Sequence, residues 1–160
     1  MEEKDFLQLI SANQGIIHKI SKLYTNTPED RQDLFQEIVF QLWRSMDNFR
    51  KEAKPGTFIY RISINTAITS FKKDRTKKIL DYTDQLPEIA AETGDVTLLE
   101  RTNALTAAIK KLEETDRAVM ALLLEEMSYR EIAEIIGTSE NNIAVKISRI
   151  KGRIKKLLNA

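Results

Sequence analysis

Hydrophobic residues along this chain recur at intervals of three and four positions, and strict alternation is nowhere sustained. Intervals of three and four place apolar side chains on one face of an α-helix, whereas alternation is typical of strands. We therefore predict an all-α fold. The predicted helices lie near residues 3–25, 28–47, 55–75, 97–114, 116–126, 128–136 and 139–158.

The last two predicted helices carry the signals of a helix-turn-helix. Ser128 and Glu131 stand three residues apart before an apolar run, which is the spacing of a capping box. Gly137 follows that short helix, and Ser139 is a suitable N-cap for the next one. This pattern predicts a hairpin that places the last helix in the major groove of DNA. The alternative is a generic helical hairpin.

The last predicted helix has an apolar and a polar side. The apolar stripe consists of Ile143, Ile147, Ile150, Ile154 and Leu157. The predicted DNA-binding residues are Ser139, Asn141, Asn142, Val145, Lys146, Ser148, Arg149, Arg153 and Lys156. Asn and Arg side chains pair with adenine and guanine edges, and an exposed Val suits a thymine methyl group.

The helix predicted over residues 28–47 presents a surface suited to a protein partner. Its predicted buried face consists of Leu34, Phe35, Ile38, Val39, Leu42 and Trp43. The predicted exposed face consists of Asp33, Gln36, Glu37, Phe40, Gln41 and Arg44, and all of these except Gln41 are predicted to bind the partner. An exposed aromatic residue such as Phe40 is typical of an interaction site. Packing of Phe40 against the first helix is the alternative.

The helix predicted over residues 55–75 carries a stripe suited to single-stranded nucleic acid. An aromatic residue beside amide and basic groups fits unpaired bases and their phosphates, and the polar loop over residues 50–57 could receive an extruded base. The predicted DNA-binding residues here are Arg50, Lys51, Phe58, Arg61, Asn65 and Lys72. The alternative is a plain surface stripe.

Charge is distributed unevenly along a chain whose net charge is only +1. Basic side chains are concentrated in residues 61–78 and 139–160, while residues 79–100 carry acidic side chains and no lysine or arginine. Phosphate binding depends on local basic density rather than on the sum of charges. The low net charge is therefore compatible with a nucleic-acid partner.

The acidic segment also marks a domain boundary. It contains Pro87 and Gly94 and shows no sustained helical period, which is typical of a linker. We therefore predict two small helical domains, residues 1–76 and 97–160, joined by a flexible acidic linker over residues 77–96.

Composition argues against several other classes of protein. The chain has no cysteine, His18 is its only histidine, and it has no glycine-rich phosphate loop. We predict no catalytic site, no metal and no cofactor. No apolar run approaches the roughly 20 residues needed to cross a bilayer, and the acidic N-terminus does not fit a signal peptide. We predict a cytoplasmic protein with no membrane insertion of its own.

Taken together, these segments resemble the bacterial sigma factors. Residues 33–43, Phe49-Arg50 and residues 57–67 resemble the second conserved region of that family. Residues 127–137 and the helix after them resemble the fourth region. The missing third region and the short linker are typical of the extracytoplasmic-function (ECF) group.

The resemblance implies a sigma factor that binds core RNA polymerase and directs promoter-specific transcription initiation by recognising and opening promoter DNA. In the family, the helix matching residues 33–44 docks on the clamp helices of the polymerase. The segment matching residues 50–73 captures the opened strand of the minus-ten element, and the last helix reads the minus-thirty-five element. An anti-sigma factor is a further expected partner. The alternative is a freestanding helix-turn-helix regulator that binds duplex DNA without replacing a sigma subunit.

Overall fold

The computed structural model describes residues 2–48, 54–78 and 96–159. Within these ranges the chain forms α-helices and one short 3₁₀ helix, without a strand, which confirms the predicted all-α fold. The helices are α1 (Glu3–Leu23), α2 (Pro28–Ser45), the 3₁₀ helix (Met46–Asn48), α3 (Pro55–Lys78), α4 (Val96–Lys110), α5 (Glu114–Leu124), α6 (Tyr129–Ile136) and α7 (Glu140–Leu158).

The chain separates into two compact units, Met1–Thr83 and Asp84–Ala160. Most helix bounds lie within two residues of the prediction, including the start of α4 at Val96, whereas α3 continues to Lys78 and α4 ends early at Lys110. Helical backbone therefore extends into both ends of the segment predicted as linker. The rest of that segment, residues 79–95, lies outside the described residues.

In the first unit, α1, α2 and α3 all pack against one another. Helices α1 and α2 run antiparallel, since the His18 ring lies 4.5 Å from the Phe35 ring and the Phe6 ring lies 4.9 Å from the Trp43 ring. Large apolar side chains from all three helices form the core between them. The fully buried ones are Ile17, Ile20, Ile38, Leu42, Ile59 and Ile64.

In the second unit, α5 and α6 pack on each other and on α7, and α4 packs against α5 and α7. Buried Arg117 joins α5 to the end of α4, because its guanidinium donates to the carbonyl oxygens of Lys110 at 2.5 Å and Leu112 at 3.2 Å. The Lys110 carbonyl lies in the last turn of α4 and the Leu112 carbonyl follows it, so neither has a hydrogen-bond partner within the helix. Arg117 therefore fixes the corner between α4 and α5.

The start of α6 and the turn between α6 and α7 are built by local interactions that the sequence predicted. Ser128 Oγ accepts a hydrogen bond from the Glu131 backbone N–H at 3.1 Å, and Glu131 reaches back to the Ser128 N–H at 3.4 Å. Gly137 adopts the left-handed conformation, with φ at 84°, and its N–H donates to the Ala133 carbonyl at 2.8 Å. These contacts confirm the capping box and the glycine-terminated first helix of the helix-turn-helix.

Candidate nucleic-acid and partner interfaces

The residues predicted on the partner-facing side of α2 lie together on its exposed surface. This surface, called the α2 face below, consists of Asp33, Gln36, Glu37, Phe40 and Arg44. The Phe40 side chain is 53% exposed, so it does not pack into the core against α1. The Arg44 guanidinium lies 5.8 Å from the centre of the Phe40 ring, within cation–π range. The α2 face therefore has an apolar centre with charged and polar groups around it.

Trp43 differs from the prediction, which placed it on the buried side of α2. Its side chain is 45% exposed and meets the ring of Phe6 edge-on. The reason is its place in the last turn of α2, beside the start of α1, where the helix pair ends and leaves part of the side chain uncovered. Trp43 and Phe40 are three residues apart on a helix, so Trp43 adds apolar surface beside the α2 face. In the sequence, only the position of Trp43 near the end of its helix indicated that it would be exposed.

A polar groove of about 300 Å³ runs between α2 and α3. Amide and hydroxyl side chains from both helices line most of it. Its lining residues are Glu37, Gln41, Ser45, Ile62, Asn65, Thr66, Thr69, Ser70 and Lys73. Gln41 donates to Glu37 at 3.0 Å on the α2 side. The groove thus borders both the α2 face, through Glu37, and the polar stripe of α3, through Asn65.

The stripe predicted on α3 is exposed over most of its length. Arg61, Asn65 and Lys72 are exposed, and Phe58 is half-buried at the N-terminal end of the stripe. The stripe therefore offers amide and cationic groups on the surface, with an aromatic ring partly accessible beside them. The other predicted contacts, Arg50 and Lys51, lie outside the described residues.

Helix α7 has the buried apolar side and the exposed polar side that the sequence predicted. Ile143, Ile147, Ile150 and Ile154 are buried, and Leu157 is half-buried. The exposed side carries Asn141, Val145, Ser148, Arg149, Arg153 and Lys156. Val145 is 52% exposed although it is apolar, so the described residues leave about half of its surface uncovered. An uncovered methyl-bearing side chain next to Arg149 is chemically suited to base edges in a major groove.

Two residues predicted to bind DNA have local roles at the start of α7. The Ser139 hydroxyl accepts the Asn142 backbone N–H at 3.1 Å and so caps the helix. The Asn142 amide nitrogen donates to the Thr138 hydroxyl at 3.0 Å. Both side chains are exposed and remain able to contact a ligand, but they also hold the N-terminus of α7 in place.

Lys146 differs from the other predicted residues of α7. It is only 28% exposed, and its Nζ lies 3.4 Å from Oδ1 of Asp116 in α5. Position 146 is three residues after Ile143 and four before Ile150, so its side chain leaves the helix at the edge of the buried stripe. Lys146 therefore joins α7 to α5, whereas its predicted contact with DNA stays a prediction.

The described residues contain no group of three or more His, Asp or Glu side chains that could hold a metal ion. Across the described ranges, no helix is both long and apolar enough to span a membrane.

Comparison with known proteins assigns both units to one family. The sigma-70 region 2 family matches residues 9–77, and the sigma-70 region 4 family matches residues 102–154. The chain is 25% identical to the ECF RNA polymerase sigma factor SigM of Mycobacterium tuberculosis, over 96% of this chain and 76% of that protein. It is 22% identical to the ECF sigma factor SigW of Bacillus subtilis, over 98% of this chain and 90% of that protein.

The fold is also that of a solved sigma factor. The structure of RpoE from Bartonella quintana, solved in complex with the anti-sigma factor NepR, matches 98% of this chain and 98% of its own with a TM-score of 0.76. The sequence identity of that pair is 20%. The two family matches together span well over half of the chain, in the order of a sigma factor. The chain therefore belongs to the sigma-70 family, as a member of its ECF group, and is a sigma factor that directs transcription initiation.

Proposed function

We propose that this sigma factor docks on core RNA polymerase through the α2 face. The observation that carries the proposal is the exposure of Phe40, 53% accessible, with Arg44 over its ring. Covering exposed apolar side chains with a partner lowers the free energy of the complex. Aromatic and arginine side chains contribute most of the binding free energy at many interfaces. Asp33, Gln36 and Glu37 supply the polar rim that would fix the register of the partner.

The first unit also has the chemistry to hold the opened minus-ten strand. Arg61 and Lys72 offer cations to the phosphates, and Asn65 offers an amide to a base edge. The accessible part of Phe58 suits stacking on a base. Arg50 and Lys51 complete the proposed site from the preceding segment. We assign this role, with polymerase docking, to residues 1–76.

The predicted domain over residues 97–160, in the second unit, is proposed to read the minus-thirty-five element through α7. Val145 and Arg149 are the proposed base-reading residues, because both are exposed on the same side of the helix. Arg153 and Lys156 stand closer to its C-terminal end and are proposed to hold phosphates. The acidic segment that the sequence predicts as a linker is proposed to join the two units, so that each engages its own promoter element.

An anti-sigma factor is a further proposed partner. The Bartonella sigma factor of the same fold was solved with one bound, which supports the same class of partner here. A partner that covered Phe40 and Trp43 would bury the apolar surface that polymerase is proposed to use. Binding of the two partners would then be mutually exclusive. The protein is proposed to act in the cytoplasm.

In vitro transcription tests the proposal as a whole. Core polymerase is supplied with genomic fragments, with and without this protein, and start sites that depend on the protein are mapped. Recovered start sites should share sequence features upstream at both elements. A freestanding regulator would instead bind duplex DNA alone and fail to retain core polymerase in a pull-down. Binding of duplex promoter DNA by the protein alone, or failure to retain core polymerase, would contradict the proposed function.

A further inference from the structure

Gly152 lies inside α7, among the exposed residues of its polar side. A Cβ atom added to Gly152 would meet no heavy atom within 4 Å, so no packing contact requires a glycine there. Glycine is less favourable than alanine in a helix interior, because it loses more backbone freedom on folding. Within the part of the chain that the structure describes, no contact accounts for the missing side chain.

The surroundings of Gly152 identify the kind of surface that could approach it. One helical turn to either side stand the exposed residues Ser148, Arg149, Lys155 and Lys156. Gly15 in α1 is equally open, but the only cation at the same spacing is Lys19. Open space therefore does not distinguish the two glycines, whereas the density of cations does. Three cations around a bare patch of helix favour an anionic partner over an apolar protein segment.

We propose that Gly152 is a position where the sugar-phosphate backbone of duplex DNA comes close to α7. Without a side chain at Gly152, a phosphate can lie against the helix within reach of Lys155 and Lys156, one turn further along. Such a contact positions the helix without carrying sequence information. This inference rests on the proposed reading of promoter DNA by α7, and it adds a steric requirement that charge alone would not reveal.

The test uses the full chain with Gly152→Ala and Gly152→Leu, each assembled with core polymerase. Thermal unfolding of the free variants should show an equal or higher Tm, because both residues form helix better than glycine. Holoenzyme affinity for duplex promoter fragments should fall, by about threefold for Ala and about tenfold or more for Leu, and by similar factors on every sequence. Gly15→Ala is the matched control: it should raise Tm and leave DNA affinity unchanged.

The outcomes separate this inference from the proposed function. Unchanged DNA affinity for both variants, with transcription retained, would overturn the role of Gly152 and leave the sigma function intact. A loss confined to association with core polymerase would also overturn it, because the surface would then face protein. A changed preference at a single base pair would identify a base contact and exclude the backbone contact. If wild-type protein supports no transcription, the proposed function itself is wrong.

Discussion

Lys146 in α7 and Asp116 in α5 face each other as an ion pair, with Nζ 3.4 Å from Oδ1 and both side chains largely shielded from solvent. Asp116 stands in the first turn of α5, while Lys146 is well inside α7. The pair therefore links the proposed DNA-reading helix to the helix beneath it. The contact adds a polar link between α7 and α5 beside the buried isoleucine stripe of α7.

This relationship predicts that Lys146 acts on stability rather than on phosphate binding. Lys146→Met retains the apolar stem and removes the charge, so the free energy of unfolding should fall by about 1 kcal/mol. The salt dependence of holoenzyme binding to DNA should stay at the wild-type value. Denaturant unfolding and salt titrations of DNA affinity measure the two effects.

Lys156→Met is the contrasting variant for Lys146. Lys156 is exposed and proposed to touch a phosphate, so its replacement should leave stability within about 0.5 kcal/mol and reduce the salt slope by roughly one. Asp116→Asn combined with Lys146→Met should show a non-additive loss of stability, as expected for residues in contact. Equal salt slopes for both lysine variants would contradict this division of roles.

Replacement on the α2 face should block polymerase docking. Phe40→Lys should weaken association with core polymerase by about 30-fold or more, since the centre of an interface carries most of its binding free energy. Glu37→Lys should weaken association as well, because it reverses a charge in the polar rim. Circular dichroism should show unchanged helical content, because both side chains are exposed. Gln14→Lys, an exposed change on α1, is the control and should bind normally. Normal binding by Phe40→Lys would exclude the α2 face as the docking surface.

Arg149 and Lys156 should separate base reading from phosphate holding. Arg149→Ala should reduce activity at cognate promoters by the equivalent of roughly 1–3 kcal/mol and relax preference at one upstream base pair. Lys156→Ala should weaken binding about equally on all sequences. Transcription from a promoter library compares each variant with wild type. If the Arg149→Ala profile runs parallel to wild type at every upstream position, Arg149 does not read the sequence.

Arg117 should be required for the stability of the second unit but not for that of the first. Arg117→Met leaves the carbonyl oxygens of Lys110 and Leu112 without their guanidinium donor, which should cost about 2–3 kcal/mol. Arg117→Lys should recover only part of the loss, because one ammonium group does not reproduce the planar guanidinium. Hydrogen exchange resolves the effect by region, and only helices α4 to α7 should lose protection. Arg130→Met, at an exposed arginine of α6, is the control. Equal loss of protection in α1 to α3 would contradict this role.

The sequence by itself was sufficient for the features that depend on neighbouring residues. Contacts within a few positions along the chain form the capping box at Ser128 and Glu131 and the left-handed turn at Gly137. The isoleucine stripe of α7 follows from the spacing of residues within that one helix. Helical periodicity separates an apolar from a polar side before any other helix is considered. The all-α fold and the helix-turn-helix followed from these local signals.

Tertiary structure decided the features that depend on which helix lies against which. Trp43 is apolar and fits the buried side of α2, yet it stands where the contact with α1 ends and so stays 45% exposed. Lys146 is charged and reads as a surface residue, yet α5 brings Asp116 within 3.4 Å of it. Residues at the edge of a helical stripe become buried or exposed according to the partner helix, and periodicity within one helix carries no information about that partner.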